Sequence, residues 1–64
     1  MQRMRELRKK KRMSAKELAE KVGTCYITIY RYENGERMPD LDIAVKIAEA
    51  LDCKVDELID KKAG

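Results

Sequence analysis

The chain has 64 residues, a formal charge of +3, 42% charged residues, one Pro, three Gly, two Cys and no His. That is room for one small domain, which buries only about 60% of its extended surface and has no apolar residues to spare for a deep catalytic cleft. Without His there is no imidazole base, Ser-His-Asp triad or His metal site; Cys25 and Cys53 lie too far apart for a Cys-x-x-Cys pair, and two thiols do not make the dense framework of a small secreted fold.

The composition favours helices, and the punctuation divides residues 1–64 into about five short ones within a single domain. The first is predicted over 2–11. Met4 and Leu7 recur at helical spacing and face a core, while Arg3, Arg5, Lys9 and Lys10 point outward. Lys9-Lys10-Lys11-Arg12 stands where a signal peptide would have its apolar stretch, and Ile43-Ala44-Val45 is too short to span a membrane. A cytoplasmic protein is expected, with no membrane contact, metal, cofactor or small-molecule ligand.

The second helix, 15–22, opens with Ser14-Ala15-Lys16-Glu17, a Ser-x-x-Glu capping box in which hydroxyl and carboxylate each take an amide of the first turn. Leu18, Ala19 and Val22 form its buried stripe, and Gly23 supplies a left-handed exit. The third, 26–33, ends at Glu33-Asn34-Gly35, a second left-handed exit. Helix, tight Gly turn and helix within about twenty residues is the helix-turn-helix arrangement. Pro39 stops the following loop and Asp40 caps a fourth helix, 41–51, with a stripe of Leu41, Ala44, Ile47, Ala48 and Leu51. A short fifth helix, 55–60, carries Val55, Leu58 and Ile59; residues 61–64 are expected to fray.

The third helix has two apolar sides. With Tyr26 at zero, Tyr30 falls near 40°, Ile27 near 100° and Arg31 near 140°, whereas Cys25, Thr28, Ile29 and Tyr32 fall between about 200° and 300°. Only one side can face the other helices. Ile29, with Tyr32 and Cys25, is assigned to the core, which leaves Tyr26, Ile27, Tyr30 and Arg31 in water with no acid among them. An exposed apolar patch ordinarily marks a dimer or partner surface. On the second helix of such a pair it equally suits the major groove: apolar groups meet thymine methyls, tyrosine hydroxyls bond phosphates or base edges, and Arg31 takes guanine O6 and N7.

Charge adds direction. Residues 1–13 hold seven bases and one acid, residues 14–39 four of each, and residues 40–64 four bases and seven acids. A polyanion meets the basic front first, although Lys/Arg runs are also common on solvated helix faces.

Ser14-Ala15-Lys16-Glu17-Leu18-Ala19-Glu20-Lys21-Val22-Gly23, then Ile29, Arg31-Tyr32-Glu33-Asn34-Gly35-Glu36-Arg37 and Pro39, resembles the phage repressor and Cro class, the XRE-like helix-turn-helix domains. Val55-Asp56-Glu57-Leu58-Ile59 resembles the family's last helix. The match spans about residues 4–60. It implies an all-α, compact five-helix repressor-like domain with a central helix-turn-helix. It also implies a transcriptional regulator, usually a repressor, binding double-stranded DNA as a homodimer on a pseudo-palindromic operator.

By position, the family's base-reading residues fall on Tyr26, Ile27, Tyr30 and Arg31. Its backbone-binding positions fall on or beside Ala15, Lys16, Thr24, Cys25, Thr28, Asn34 and Arg37. An arginine of the first helix often pairs with the glutamate of the Tyr-Glu-Asn-Gly turn, here Arg8 and Glu33. The chain departs from the family at Ala15, where Gln is common and only the backbone amide is left to hold a phosphate. Cys25 stands where a Ser or Thr cap is usual, so Thr24 is expected to cap instead. Arg12 and Asp52 stand where glycine often closes a helix, and Lys54 replaces a usual cap.

Two questions stay open at this level. The fold could serve as a protein-interaction module, or as an antitoxin or mobile-element control protein that grips a protein partner through the Tyr/Ile face. Val55 and Ile59 could form a dimer patch or simply close the core. Cys25 is expected to be buried and inert, its oxidation able to block binding only if it sits at the outer end of the third helix.

Overall fold

The start and stop signals read along the chain sit at helix ends. The computed structural model describes residues 2–58, which form α1 (Gln2–Lys10), α2 (Ala15–Val22), α3 (Tyr26–Asn34), α4 (Leu41–Ala50) and α5 (Val55–Leu58), with no strand among them. α1 ends one residue earlier than expected and α3 one later, while Leu51 is the C-cap of α4 rather than its last turn. Ile59 and the expected end of α5 lie outside the described residues.

Each helix is short, so its ends matter as much as its interior. Glu17 N–H donates to Ser14 Oγ at 3.0 Å and Ser14 N–H to Glu17 Oε1 at 2.9 Å, the reciprocal capping box. Asp40 accepts from Ile43 N–H at 3.0 Å, and Lys54 N–H donates to Glu57 Oε1 at 3.2 Å. Gly23 closes α2 at φ 91°, with its amide and that of Thr24 both returning to the Ala19 carbonyl at 2.8 and 2.9 Å. Arg12 (φ 56°) and Asp52 (φ 59°) take the left-handed conformation after α1 and α4, where a β-carbon makes it costly.

α2 packs on α3 and α4, α1 on α3 and α5, and α4 on α5. Met4, Leu18, Ile29, Ile47 and Leu58 meet at the centre, each with no exposed surface. Full burial of such side chains contributes about 1.5–3 kcal/mol each before chain entropy is counted. The small faces of Ala15, Ala19 and Ala48 are buried as well. Leu7, Met13, Ile43, Cys53 and Val55 pack against the core from its margin.

Leu41 departs from the stripe assigned to α4: it is 72% exposed. The buried set Ala44, Ile47, Ala48 and Leu51 is centred about 70° around the helix from Leu41. Leu41 also occupies the first turn, and with Met38 (60%) and Val45 (39%) it is among the exposed large apolar side chains.

An added β-carbon at Gly23 meets nothing within 4 Å, so Gly23→Ala carries only backbone strain. It is expected to lower stability by about 1 kcal/mol. Arg12→Gly removes comparable strain and is expected to raise the thermal midpoint by about 2–4 °C. Thermal unfolding followed by circular dichroism checks both signs.

Candidate nucleic-acid interface

α3 turns one side inward and one side out. Ile29 is fully buried, Tyr32 is 5% exposed and Glu33 2% exposed. On the other side Tyr26 is 48%, Ile27 50% and Tyr30 45% exposed, and Arg31 is exposed beside them. Tyr26 and Tyr30 sit one turn apart with ring centroids 6.1 Å apart and planes at 82°, an edge-to-face pair. Such a contact holds two aromatic rings in a defined relation while their hydroxyls stay accessible. The face is therefore a preformed ridge of apolar surface with one cation.

Its placement depends on the far end of α3. Arg8 Nε donates to Glu33 Oε2 at 2.7 Å and Arg8 Nη2 to Oε1 at 3.2 Å, with the two side chains 9% and 0% exposed. Arg8 Nη1 also donates to the Met13 carbonyl at 3.0 Å. One guanidinium thus joins α1, the α1–α2 turn and the end of α3. The hydrogen bond to Glu33 pushes the Arg8 pKa above its ordinary value, against the opposing effect of burial and with Coulombic help from Glu33. No described buried side-chain nitrogen or oxygen lacks a hydrogen-bond partner.

Arg5, which points outward as expected and stays 48% exposed, also reaches this cluster. Its Nε lies 3.5 Å from Glu33 Oε1 and its Nη2 donates to Asn34 Oδ1 at 2.9 Å. The available signal was spacing. Arg5 precedes Arg8 by three positions, so the two stems share one side of α1.

Cys25 differs from both expectations for it. It is exposed, and it is the N-cap of α3 at φ −108°, ψ 161°, without a side-chain bond to the helix amides. Lying before the first helical turn, it does not follow the 100° rotation that placed it beside Ile29. Thr24, half-buried, does not replace it as the cap. The Cys25 thiol lies 3.4 Å from Thr28 Oγ1, and this contact, followed by backbone amides of the first turn, lowers its pKa. Burial, then the nearby Glu57 and Asp52, raise the Cys53 thiol.

The remaining predicted contact positions are distributed around the same pair of helices. Lys16, Asn34 and Arg37 are exposed and Thr28 is half-buried. Ala15 is 4% exposed, so its methyl belongs to the core and its first-turn amide is what it can offer outside. Val55 is half-buried against the core, and Ile59 lies outside the described residues. Away from this region, the ends of α4 and α5 form a shallow open depression lined by Ala48, Glu49, Asp52, Cys53, Lys54 and Glu57. Its three carboxylates against one ammonium oppose an approaching polyanion.

Among the described residues, no group of three or more His, Cys, Asp or Glu could hold a metal ion, and no helix is long and apolar enough to cross a membrane.

A family model described as helix-turn-helix matches residues 4–58. The chain belongs to the helix-turn-helix family. Its fold is that of the phage repressors. It superposes on the P22 c2 repressor, solved in complex with a synthetic operator, with a TM-score of 0.87 and 29% identity, covering 91% of this chain and 88% of that one. A helix-turn-helix-type transcriptional regulatory protein of Pyrococcus furiosus is 43% identical over 51 residues, 80% of this chain but 16% of its own length. A helix-turn-helix-type regulator of Archaeoglobus fulgidus is 41% identical over 56 residues, 88% of this chain and 80% of its own. The cryptic phage CTXphi transcriptional repressor RstR of Vibrio cholerae is 38% identical over 42 residues, 66% of this chain and 38% of its own. The chain therefore spans about a sixth of the first archaeal relative and most of the second.

Two outcomes are expected from the helix-turn-helix site. Glu33→Ala leaves a buried guanidinium without its carboxylate and should cost about 3 kcal/mol, lowering the melting midpoint by more than about 10 °C; an unchanged midpoint would contradict the pairing. At neutral pH a limiting dose of iodoacetamide should modify Cys25 before Cys53, because the thiolate is the reactive form and only Cys25 is both exposed and shifted downward. Peptide mass spectrometry reads the order.

Proposed function

We propose that the chain is a sequence-specific double-stranded DNA-binding transcriptional regulator, acting as a repressor in homodimeric form on a pseudo-palindromic operator. The observation that carries this reading is the outer side of α3. Tyr26, Ile27 and Tyr30, each about half exposed, stand beside Arg31 on the second helix of a helix-turn-helix, with no acid among them. A polyanion tolerates that surface, and base edges complement it: the Ile27 side chain meets a thymine methyl, the tyrosine hydroxyls meet phosphate or base edges, and Arg31 bonds guanine O6 and N7. Membership of the helix-turn-helix family and the operator-bound P22 c2 repressor support it.

Around that face, backbone anchors hold the helix in register. The first-turn amides of α2 at Ala15 and Lys16 would donate to a phosphate, with the Lys16 ammonium nearby in sequence. Thr24, Cys25 and Thr28 flank the start of α3, and Asn34 and Arg37 its end. The basic N-terminal third and the acidic C-terminal third orient the approach. In the homodimer, Val55 at the start of α5 and Ile59, which follows α5 in the sequence, are the proposed apolar contacts. The chain is placed in the cytoplasm, where its operator is.

A protein partner on the same ridge is the second reading, favoured by how apolar that ridge is for a groove reader. Antitoxin and mobile-element control proteins would combine both uses.

Selection of bound fragments from random duplex DNA separates the two. A DNA regulator yields a preferred site, with half-site spacing that reports the dimer. Log K against log salt should fall by about 0.9 per phosphate contacted. Arg31→Ala should relax the sequence preference, whereas Arg37→Ala should weaken binding to all duplexes alike. Weak and unselective affinity for every duplex would overturn operator reading and leave the protein-partner alternative.

A further inference from the structure

The Arg5–Asn34 contact has a chemical consequence that geometry alone settles. A guanidinium has five N–H donors and no acceptor, so the atom of Asn34 facing Arg5 Nη2 at 2.9 Å must be the amide oxygen. The ambiguity between the nitrogen and oxygen of an asparagine amide is thereby removed. With Oδ1 taken by Arg5, the Nδ2 amide N–H groups are left for another acceptor, and Asn34 is exposed. Arg5 itself keeps 48% of its side chain in solvent.

Charge at this spot also departs from what a helix end usually offers. The last carbonyls of a helix carry partial negative charge and repel an anion. Here the Gly35 amide returns to the Tyr32 carbonyl at 3.2 Å, and the Glu36 and Arg37 amides return to the Arg31 carbonyl at 2.9 and 3.3 Å. The single Glu33 carboxylate is shared by two guanidiniums, those of Arg5 and Arg8. Within this cluster two guanidiniums face one carboxylate, and the exposed Arg31, Glu36 and Arg37 flank the same end of α3.

We propose that Arg5 is a positioning residue that locks the Asn34 amide with its N–H groups outward, so that Asn34 donates to a DNA backbone phosphate at the C-terminal end of α3. The proposal rests on the DNA-binding reading above. It assigns a role to a side chain of α1, outside the helix-turn-helix itself, and makes the depth of α3 in the groove depend on α1. The same guanidinium that ties α1 to Glu33 thereby sets the direction of a phosphate donor.

The decisive variant is Asn34→Asp. A carboxylate still accepts from Arg5, and does so more strongly, but it has no donor and repels phosphate. The expected result is a chain that melts close to the wild-type midpoint yet binds its selected duplex at least about tenfold more weakly, the scale of a lost charge-assisted hydrogen bond. Arg5→Ala is expected to weaken selected and random duplexes alike, also by about tenfold. Arg5→Lys, which keeps a donor and the charge, should restore most of the loss. Combining Arg5→Ala with Asn34→Ala should weaken binding by less than the product of the two single effects, because one residue acts through the other.

Wild-type affinity for Asn34→Asp or for Arg5→Ala, with the wild-type chain binding its site normally, would overturn the proposal and leave the DNA reading intact. Fully multiplicative single effects would overturn the positioning role. Failure of the wild-type chain to bind any duplex would overturn both.

Discussion

A buried carboxylate at the end of α3 holds this domain in its working arrangement. Glu33, 2% exposed, accepts two hydrogen bonds from Arg8, which also reaches the Met13 carbonyl. Helices of eight and nine residues are too short to persist alone, so α2 and α3 owe their orientation to what they touch. The ion pair fixes the end of α3 against α1 and against the turn that leads into α2. It does so from the inner side, which leaves the outer side free. Breaking such a pair is far more disruptive than never having had it, since the surviving charge is stranded in a dry site.

That division explains how so small a chain can combine a core with an apolar exposed face. Met4, Leu18, Ile29, Ile47 and Leu58 complete the interior, and α3 contributes Ile29 and Tyr32 to it. Tyr26, Ile27 and Tyr30 are not needed there. In a protein with 42% charged residues, three large side chains left about half exposed on one helix mark a surface kept for another molecule. The carboxylate-lined depression between α4 and α5 shows the opposite character and gives the molecule an electrical front and back.

Much of this was legible in the residues. Capping boxes and left-handed exits are local chemistry, so Ser14, Glu17, Gly23, Gly35 and Asp40 announced the helix ends, and the positive φ at Arg12 and Asp52 matched sites where glycine is usual. The two sides of α3 followed from rotation per residue. What was not legible depends on end effects and long side chains. Leu41 looked buried because a wheel treats every turn as covered, yet the first turn of α4 leaves it 72% exposed. Cys25 is the N-cap, one residue before the helix begins, so the rotation per residue does not apply to it. Arg5 is half exposed, as its outward stem implies, but a wheel does not give the reach of its guanidinium across to Glu33 and Asn34.

On the proposed function, the outer side of α3 lies against base edges. Intermolecular nuclear Overhauser effects between the labelled chain and its selected duplex test it most directly. Contacts are expected from the Tyr26 and Tyr30 rings and the Ile27 methyls to thymine methyls and other major-groove protons. Contacts arising instead from Met38, Leu41 and Val45, with the α3 tyrosine and isoleucine resonances unmoved, would contradict it.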